Sequence, residues 1–284
     1  MTLLALIVLT LKFSIALNIF VLGLTATYRD ATHVFRKPTK FLRAFLSMNV
    51  VMPLVAISLA LVLDLNQASR VVLIALSLSP VPPVLPKKAL KAGGHENYAV
   101  GLLVAASVVA IVFIPLAVEL IERVFGVPLQ MPVTTLAMIL IPFLLVPLAA
   151  GMAVRAAAPA LAERLLKPVG MAATGLLLLS ALPILIGAGQ SFLSVIGDGT
   201  LLAFTAFALA GLAAGHLLGG PDAEDRTVLA LYSSARHPGV AIAIAQANFP
   251  DLNLALQAAL LALIVAAIVS APYLKWTKRH VVRV

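Results

Sequence analysis

Tyr232-Ser233-Ser234-Ala235-Arg236-His237-Pro238-Gly239 interrupts an apolar run that would otherwise cross a bilayer as one helix. Thr227 to Leu231 on one flank and Val240 to Ala247 on the other are each only half a span. Irregular backbone at membrane depth is tolerated only where protein or a watery cavity surrounds it. A helix interrupted by glycine and proline in this way points to a binding site between half-helices. A second interruption, Ser79-Pro80-Val81-Pro82-Pro83-Val84-Leu85-Pro86, is followed by Lys87-Lys88. The two breaks are expected to meet.

The rest of the chain sets the surroundings for those breaks. Its 284 residues are 62% hydrophobic and 11% charged, with a mean hydropathy of +1.10. A water-soluble domain is about half apolar and about a quarter charged, so the chain reads as an all-α integral membrane protein whose first partner is the lipid bilayer. Nine spans are predicted: 3–25, 41–63, a broken 71–92, 98–120, 131–152, 168–189, 201–218, a broken 227–247 and 254–274. The breaks fall in the third and eighth spans, each followed by one more span. This pattern suggests one transmembrane domain over 1–284 built from inverted repeats, about 1–125 and 126–284. Met1 to Leu11 leads directly into the first span without a small-residue cleavage site.

Charge is unevenly spread between alternate loops. Arg29, Arg36, Lys37, Lys40 and Arg43 follow the first span, and Lys91, Arg155, Arg164, Lys167, Arg226, Lys275, Lys278, Arg279 and Arg283 lie in loops of the same parity. The opposite loops carry Arg70 and Arg123. The positive-inside rule then predicts an outside N-terminus and a cytoplasmic C-terminus in the plasma membrane, the inner membrane of a bacterium. Topology thus accounts for the net charge of +9 without a nucleic-acid partner. The absence of cysteine excludes disulfides and thiolate chemistry. No arrangement of nucleophile and base or phosphate-binding loop suggests an enzyme, and His33, His95 and His280 have no metal-ligand spacing. Asn18 and Asn49 are read as hydrogen-bonding between helices, and His216 as a packing residue.

The chain resembles the bile acid:sodium symporter family, in its nine-span form, over essentially its whole length. The resemblance is carried by Phe20-Val21-Leu22-Gly23-Leu24 with Asp30, Phe35-Arg36-Lys37-Pro38, Met52-Pro53, Ser79-Pro80, Asp222-Ala223 with Thr227, and Arg236-His237-Pro238-Gly239-Val240-Ala241. It implies a core domain containing two crossed, broken helices, a panel domain of other spans, and sodium-driven import of organic anions. The family's sodium-binding glutamate falls on Tyr232 and its glutamine on Arg236. Its Ser-Asn pair falls on Leu85 and Pro86, and its last-span His-Asn pair on Val265 and Ala266. The hydroxyl-rich stretch of the following span is reduced to Ser107. Apart from Glu119 at the very end of the fourth span, no acidic residue lies inside any span as drawn, so sodium binding is doubtful and no other cofactor is implied.

Basic side chains stand where the resemblance would put cations. Arg236 and Lys87 or Lys88 are therefore expected to act as tethered cations, satisfied by break carbonyls and by the hydroxyls of Tyr232, Ser233 and Ser234. They would face a small organic anion in a cavity reaching Ser79, Pro82, His237 and Gly239. Transport would be proton-coupled through Lys87 or His237, or uncoupled. Three other readings compete with this one. Lys87 and Lys88 would snorkel to the cytoplasmic surface, with Arg236 only locking the break; the chain would be a conventional sodium:organic anion symporter; or it would be a non-transporting membrane receptor or scaffold.

Overall fold

Proline and glycine divide the chain into long helices and paired half-helices. The computed structural model describes residues 3–126, 134, 138, 141–187, 194–252 and 254–281. In order, the helices are α1 (Leu3–Thr25), the short α2 (Tyr28–Ala31), α3 (Pro38–Val62), the half-helices α4 (Gln67–Leu78) and α5 (Leu85–Lys91), and α6 (Glu96–Phe125). They continue as α7 (Val146–Ala157), α8 (Pro159–Gly187), α9 (Thr200–Leu218), the half-helices α10 (Ala223–Ser234) and α11 (Pro238–Asn248), and α12 (Ala255–Val281). Among the described residues four stretches, Pro38–Val62, Glu96–Phe125, Thr200–Leu218 and Ala255–Arg279, are both long and apolar enough to cross a membrane. The start of the predicted fifth span, 131–140 apart from 134 and 138, lies outside the described residues; its remainder begins with a π turn, Ile141–Leu145, leading into α7.

Local chemistry sets most helix ends. Asn66 caps α4 by accepting the Ser69 N–H at 2.9 Å. Pro80 stops that helix, because it cannot donate to the carbonyl four residues back. Pro238 starts α11 at the first helical position, and the His237 ring caps it by accepting from the Val240 N–H. Gly126 closes α6 at φ +66°, a left-handed turn that glycine adopts freely. The structure lengthens several spans beyond the sequence expectation: α6 runs to Phe125, α8 begins at Pro159, and α10 begins at Ala223 rather than Thr227.

Helix packing separates two groups. In one, α1 crosses α7 at Gly23 and Gly151. A Cβ on Gly23 would strike the Leu148 carbonyl, and one on Gly151 the Phe20 carbonyl. Close backbone approach through small residues is a common way to join helices in lipid, where the hydrophobic effect between helices is absent. In the other group, α9 presents Gly211, Gly215 and Gly219 to α10, and a Cβ on Gly211 would come within 2.5 Å of the Ser234 Cα. This G-x-x-x-G-x-x-x-G seam seats the second broken helix.

One apolar core gathers Met52, Leu73, Leu76, Phe204, Phe207, Val240, Ile244 and Ala258 from α3, α4, α9, α11 and α12. A second gathers Ile19, Met48, Leu103, Leu229 and Tyr232. Outward-facing residues are apolar as well: Val62 is 81% exposed and Leu217 80%. Such surfaces suit lipid rather than water.

Candidate functional site

The two breaks meet through their backbones. The His237 N–H donates to the Pro80 carbonyl at 2.8 Å. Half-helices α4 and α10 have 12 residues each. At about 1.5 Å per residue they travel roughly 18 Å, just past the middle of a hydrocarbon core about 30 Å thick. The junction therefore suits mid-membrane depth.

Prolines leave this junction short of donors. Pro80, Pro82 and Pro83 cannot supply the helical N–H to the carbonyls of Leu76, Leu78 and Ser79, and the Leu76 carbonyl accepts instead from the Ser79 N–H at 3.0 Å. A third proline creates another orphan in α3. Residues Leu46–Val51 form a π turn, in which the Met52 N–H turns to the Ser47 carbonyl five residues back. The donor one step further on would be Pro53, which has no N–H, so the Met48 carbonyl lacks a partner within its own helix.

Arg236 answers part of this shortage. Its Nη2 donates to the carbonyls of Ser77 at 2.7 Å and Met48 at 2.9 Å, and its Nε to that of Leu76 at 3.4 Å. The side chain is only 4% exposed. Its positive charge lies against the C-terminus of α4, where the helix dipole presents partial negative charge. No carboxylate pairs with it among the described residues. Nη1 has no protein partner, and a cavity of about 20 Å³ lined by Arg236, Ser234, Phe207 and Ala266 adjoins the group. That volume is enough for one water.

The hydroxyls expected around Arg236 turn elsewhere. Tyr232 donates to the Ala99 carbonyl on α6 at 2.9 Å, Ser233 shares a 2.7 Å hydrogen bond with Ser47, and Ser234 returns to the Leu231 carbonyl at 3.0 Å. Ser79 likewise bonds back to the Ala75 carbonyl at 2.7 Å. Carbonyl oxygens alone hold the guanidinium. The reason is geometric: α10 is still helical at Tyr232 to Ser234, so those side chains leave the helix toward α3, α6 and their own preceding turn. Ser107 also bonds back into its helix, while Leu85, Pro86, Val265 and Ala266 occupy buried sites.

The other sequence-predicted residues separate into two places. Pro82 is buried in the first break, and His237, half-buried, caps α11 beside Gly239. A Cβ on Gly239 would crowd the His237 ring at 3.2 Å. Lys87 is half-buried and donates to the Asn18 side-chain oxygen on α1 at 3.4 Å. It lines a cavity of about 530 Å³ with Val21 of α1 and Lys167, Gly170 and Thr174 of α8. Lys88 is exposed. The crevice between α1, α5 and α8 thus brings together two lysines distant in sequence. Lys167 had been read only as a loop charge, and nothing in its neighbours along the chain signals otherwise.

A buried charge network escaped the sequence reading. Asp225, 1% exposed, pairs with Lys40 and lies 3.6 Å from His95, while Asp222 meets Lys40 at 3.2 Å. The expected start at Thr227 places Asp225 in a loop, whereas α10 begins at Ala223 and carries it in its first turn. Asp222 followed by Glu224 and Asp225 is the acidic signature of a helix start and was the available signal. The Lys40 hydrogen bond holds Asp222 below its usual carboxylate pKa. Together with the Arg226 bond to the Gly220 carbonyl at 2.6 Å, the network gathers the loops after spans one, three and seven at one end of the molecule. His216 completes that end, bonding the Tyr273 hydroxyl at 2.9 Å and packing on Trp276.

A membrane-spanning helical protein with two interrupted helices bonded to each other at their breaks has the pattern of the broken-helix class of transporter folds. The family model described as the Sodium Bile acid symporter family matches residues 12–195, well over half of the chain. The chain belongs to that family, whose members are transporters rather than enzymes. No curated protein matches it. The matched stretch includes the first break and ends before the second, where Arg236 lies.

Proposed function

We propose that the chain is a secondary transporter of a small organic anion in which Arg236 stands as a tethered cation where relatives would bind sodium. The observation that carries this reading is the guanidinium held by the carbonyls of Leu76, Ser77 and Met48. A free cation at the same crossing would have to displace a charge bonded at 2.7–2.9 Å. The substrate would enter the crevice flanked by Lys87 and Lys167, whose volume suits a small carboxylate or sulfonate.

The remaining parts of the reading follow from sequence pattern and family. Nine spans would form two inverted repeats, about 1–125 and 126–284, with a panel built on α1, α7 and α8 moving against the rest. The basic end would face the cytoplasm, with an outside N-terminus in a bacterial inner membrane. Coupling would run through a proton on Lys87 or His237, or be absent.

Uptake of candidate organic anions into proteoliposomes tests the proposal. Uptake that persists without sodium and falls on Lys87→Gln and Lys167→Gln is the expected result. Uptake abolished by sodium removal and indifferent to a proton gradient would overturn the tethered cation and favour a conventional symporter, the reading that family membership favours. Binding without any flux, unaffected by Arg236→Gln, would favour a receptor or scaffold.

A further inference from the structure

A separate basic cup lies where α2, the loop entering α3 and the start of α6 meet. Its cavity of about 510 Å³ is lined by Thr27, Arg29, Asp30, His33, Arg36, Lys37 and Asn97. It shares no residue with the crevice at Lys87. Arg29, Arg36 and Lys37 form no ion pair among the described residues, and the Arg36 guanidinium rests 5.9 Å from the Tyr28 ring centre. The one carboxylate present is already committed, because Asp30 Oδ2 accepts from the Thr27 N–H at 2.7 Å and the Thr27 hydroxyl at 2.6 Å.

Two further features border the cup. The His33 ring lines it and packs edge-on against His95 at 5.7 Å. Asn97 lies in the first turn of the 30-residue α6, whose N-terminus carries partial positive charge. The cup is also firmly seated: a Cβ on Gly101 would come within 2.8 Å of the Asp30 carbonyl, so α2 lies directly on α6. Three cations without an ion pair among the described residues, a histidine ring and a helix start around one cavity match the chemistry of a phosphate group.

We propose that this cup binds a phosphate or phosphate monoester or diester, with Arg29, Arg36, Lys37 and His33 as ligands. The phosphate belongs to a free phospho-compound or to a lipid headgroup, and the two sources are separable. In one arm, the full chain in phosphatidylcholine nanodiscs is titrated with inorganic phosphate against chloride at matched ionic strength, followed by thermal melting and ³¹P line broadening. In the other, retention of phosphatidylglycerol over phosphatidylcholine is counted by native mass spectrometry.

Saturable phosphate binding marks a soluble ligand, and preferential phosphatidylglycerol retention alone marks a headgroup. In either case Arg36→Gln with Lys37→Gln weakens binding by about tenfold per cation removed, while Arg70→Gln with Arg123→Gln leaves it unchanged. Should the double variant fail to fold, Arg29→Gln takes its place and weakens binding in the same arm. The proposal is overturned if neither arm shows selective binding in the wild type, or if the cup variants bind as the wild type does.

Discussion

The first break is a surplus of acceptors and the second a surplus of donors. Ser79 to Pro83 contains three prolines, each of which removes an N–H that a helix would use. Ala235 to His237 contains none, and it offers an arginine side chain and the His237 N–H. Neither segment could lie in a membrane alone, because unpaired backbone polar groups there cost several kcal/mol each, roughly. Brought together, each supplies what the other lacks. Breaking a membrane helix is thus a two-part device, and a single proline-rich stretch is only half of it.

The sharpest way to break this pairing is Arg236→Ala. The Ser77 and Met48 carbonyls would lose their donor at once, while Leu76 keeps the Ser79 N–H, and the destabilisation should be about 3–5 kcal/mol, allowing about 1–3 kcal/mol per stranded group. A large fall in melting temperature in detergent would show it. Free guanidinium added to the variant should restore part of the loss, whereas an unchanged melting temperature would mean that the guanidinium bonds contribute nothing net.

Gly215→Ala is the next test, directed at the seat of the second break rather than its chemistry. The added methyl would strike the backbone of Ala230 and Leu229 on α10, and overpacking of this kind costs about 1–3 kcal/mol. Gly175→Ala, on a surface with open space, should leave the melting temperature unchanged. Equal effects at both positions would remove the glycine seam from the account.

A finer comparison concerns Pro53. Replacing it with alanine restores an N–H near the Met48 carbonyl and should cost about 1 kcal/mol or less in the wild type. In the Arg236→Ala background the same change should recover part of the lost stability, so the double-mutant cycle should show coupling of about 0.5–3 kcal/mol. Strictly additive losses would place the two residues in unrelated roles.

The smallest expected effect is electrostatic, at the start of α10. Asp222 is held below its unfolded-state pKa by Lys40, so its contribution is present above about pH 4 and is lost as pH falls through the lowered value. Melting profiles at low salt should therefore decline on the acid side, and Asp222→Asn should flatten that limb slightly. Because Asp222 is exposed, added salt should erase the difference.

Much of the architecture was legible because it rests on local rules. Ser79-Pro80-Val81-Pro82-Pro83 ends a helix in any context, and Pro238-Gly239 after a polar run ends one and starts another. α1 was read at its observed limits, Leu3–Thr25. Less local features were missed. The span holding Asp225 was begun too late, and the glycine triplet at 211, 215 and 219 passed unnoticed although its four-residue spacing is a packing signal. The hydroxyls of Tyr232, Ser233 and Ser234 were assigned to Arg236 because they are close in sequence, but a helical backbone sends neighbouring side chains in different directions.

What the sequence determined by itself was that the chain lives in a membrane and that two of its helices are interrupted, since apolar length and proline placement act within a few residues. It also determined that a positive charge lies in one interruption. The tertiary structure decided what that charge does. The partners of Arg236 lie 159 to 188 residues away, and Lys87 and Lys167 share a crevice across 80 positions of chain. Backbone carbonyls carry no residue identity, so the oxygens that hold the guanidinium are invisible until the fold brings their vacancies to one point.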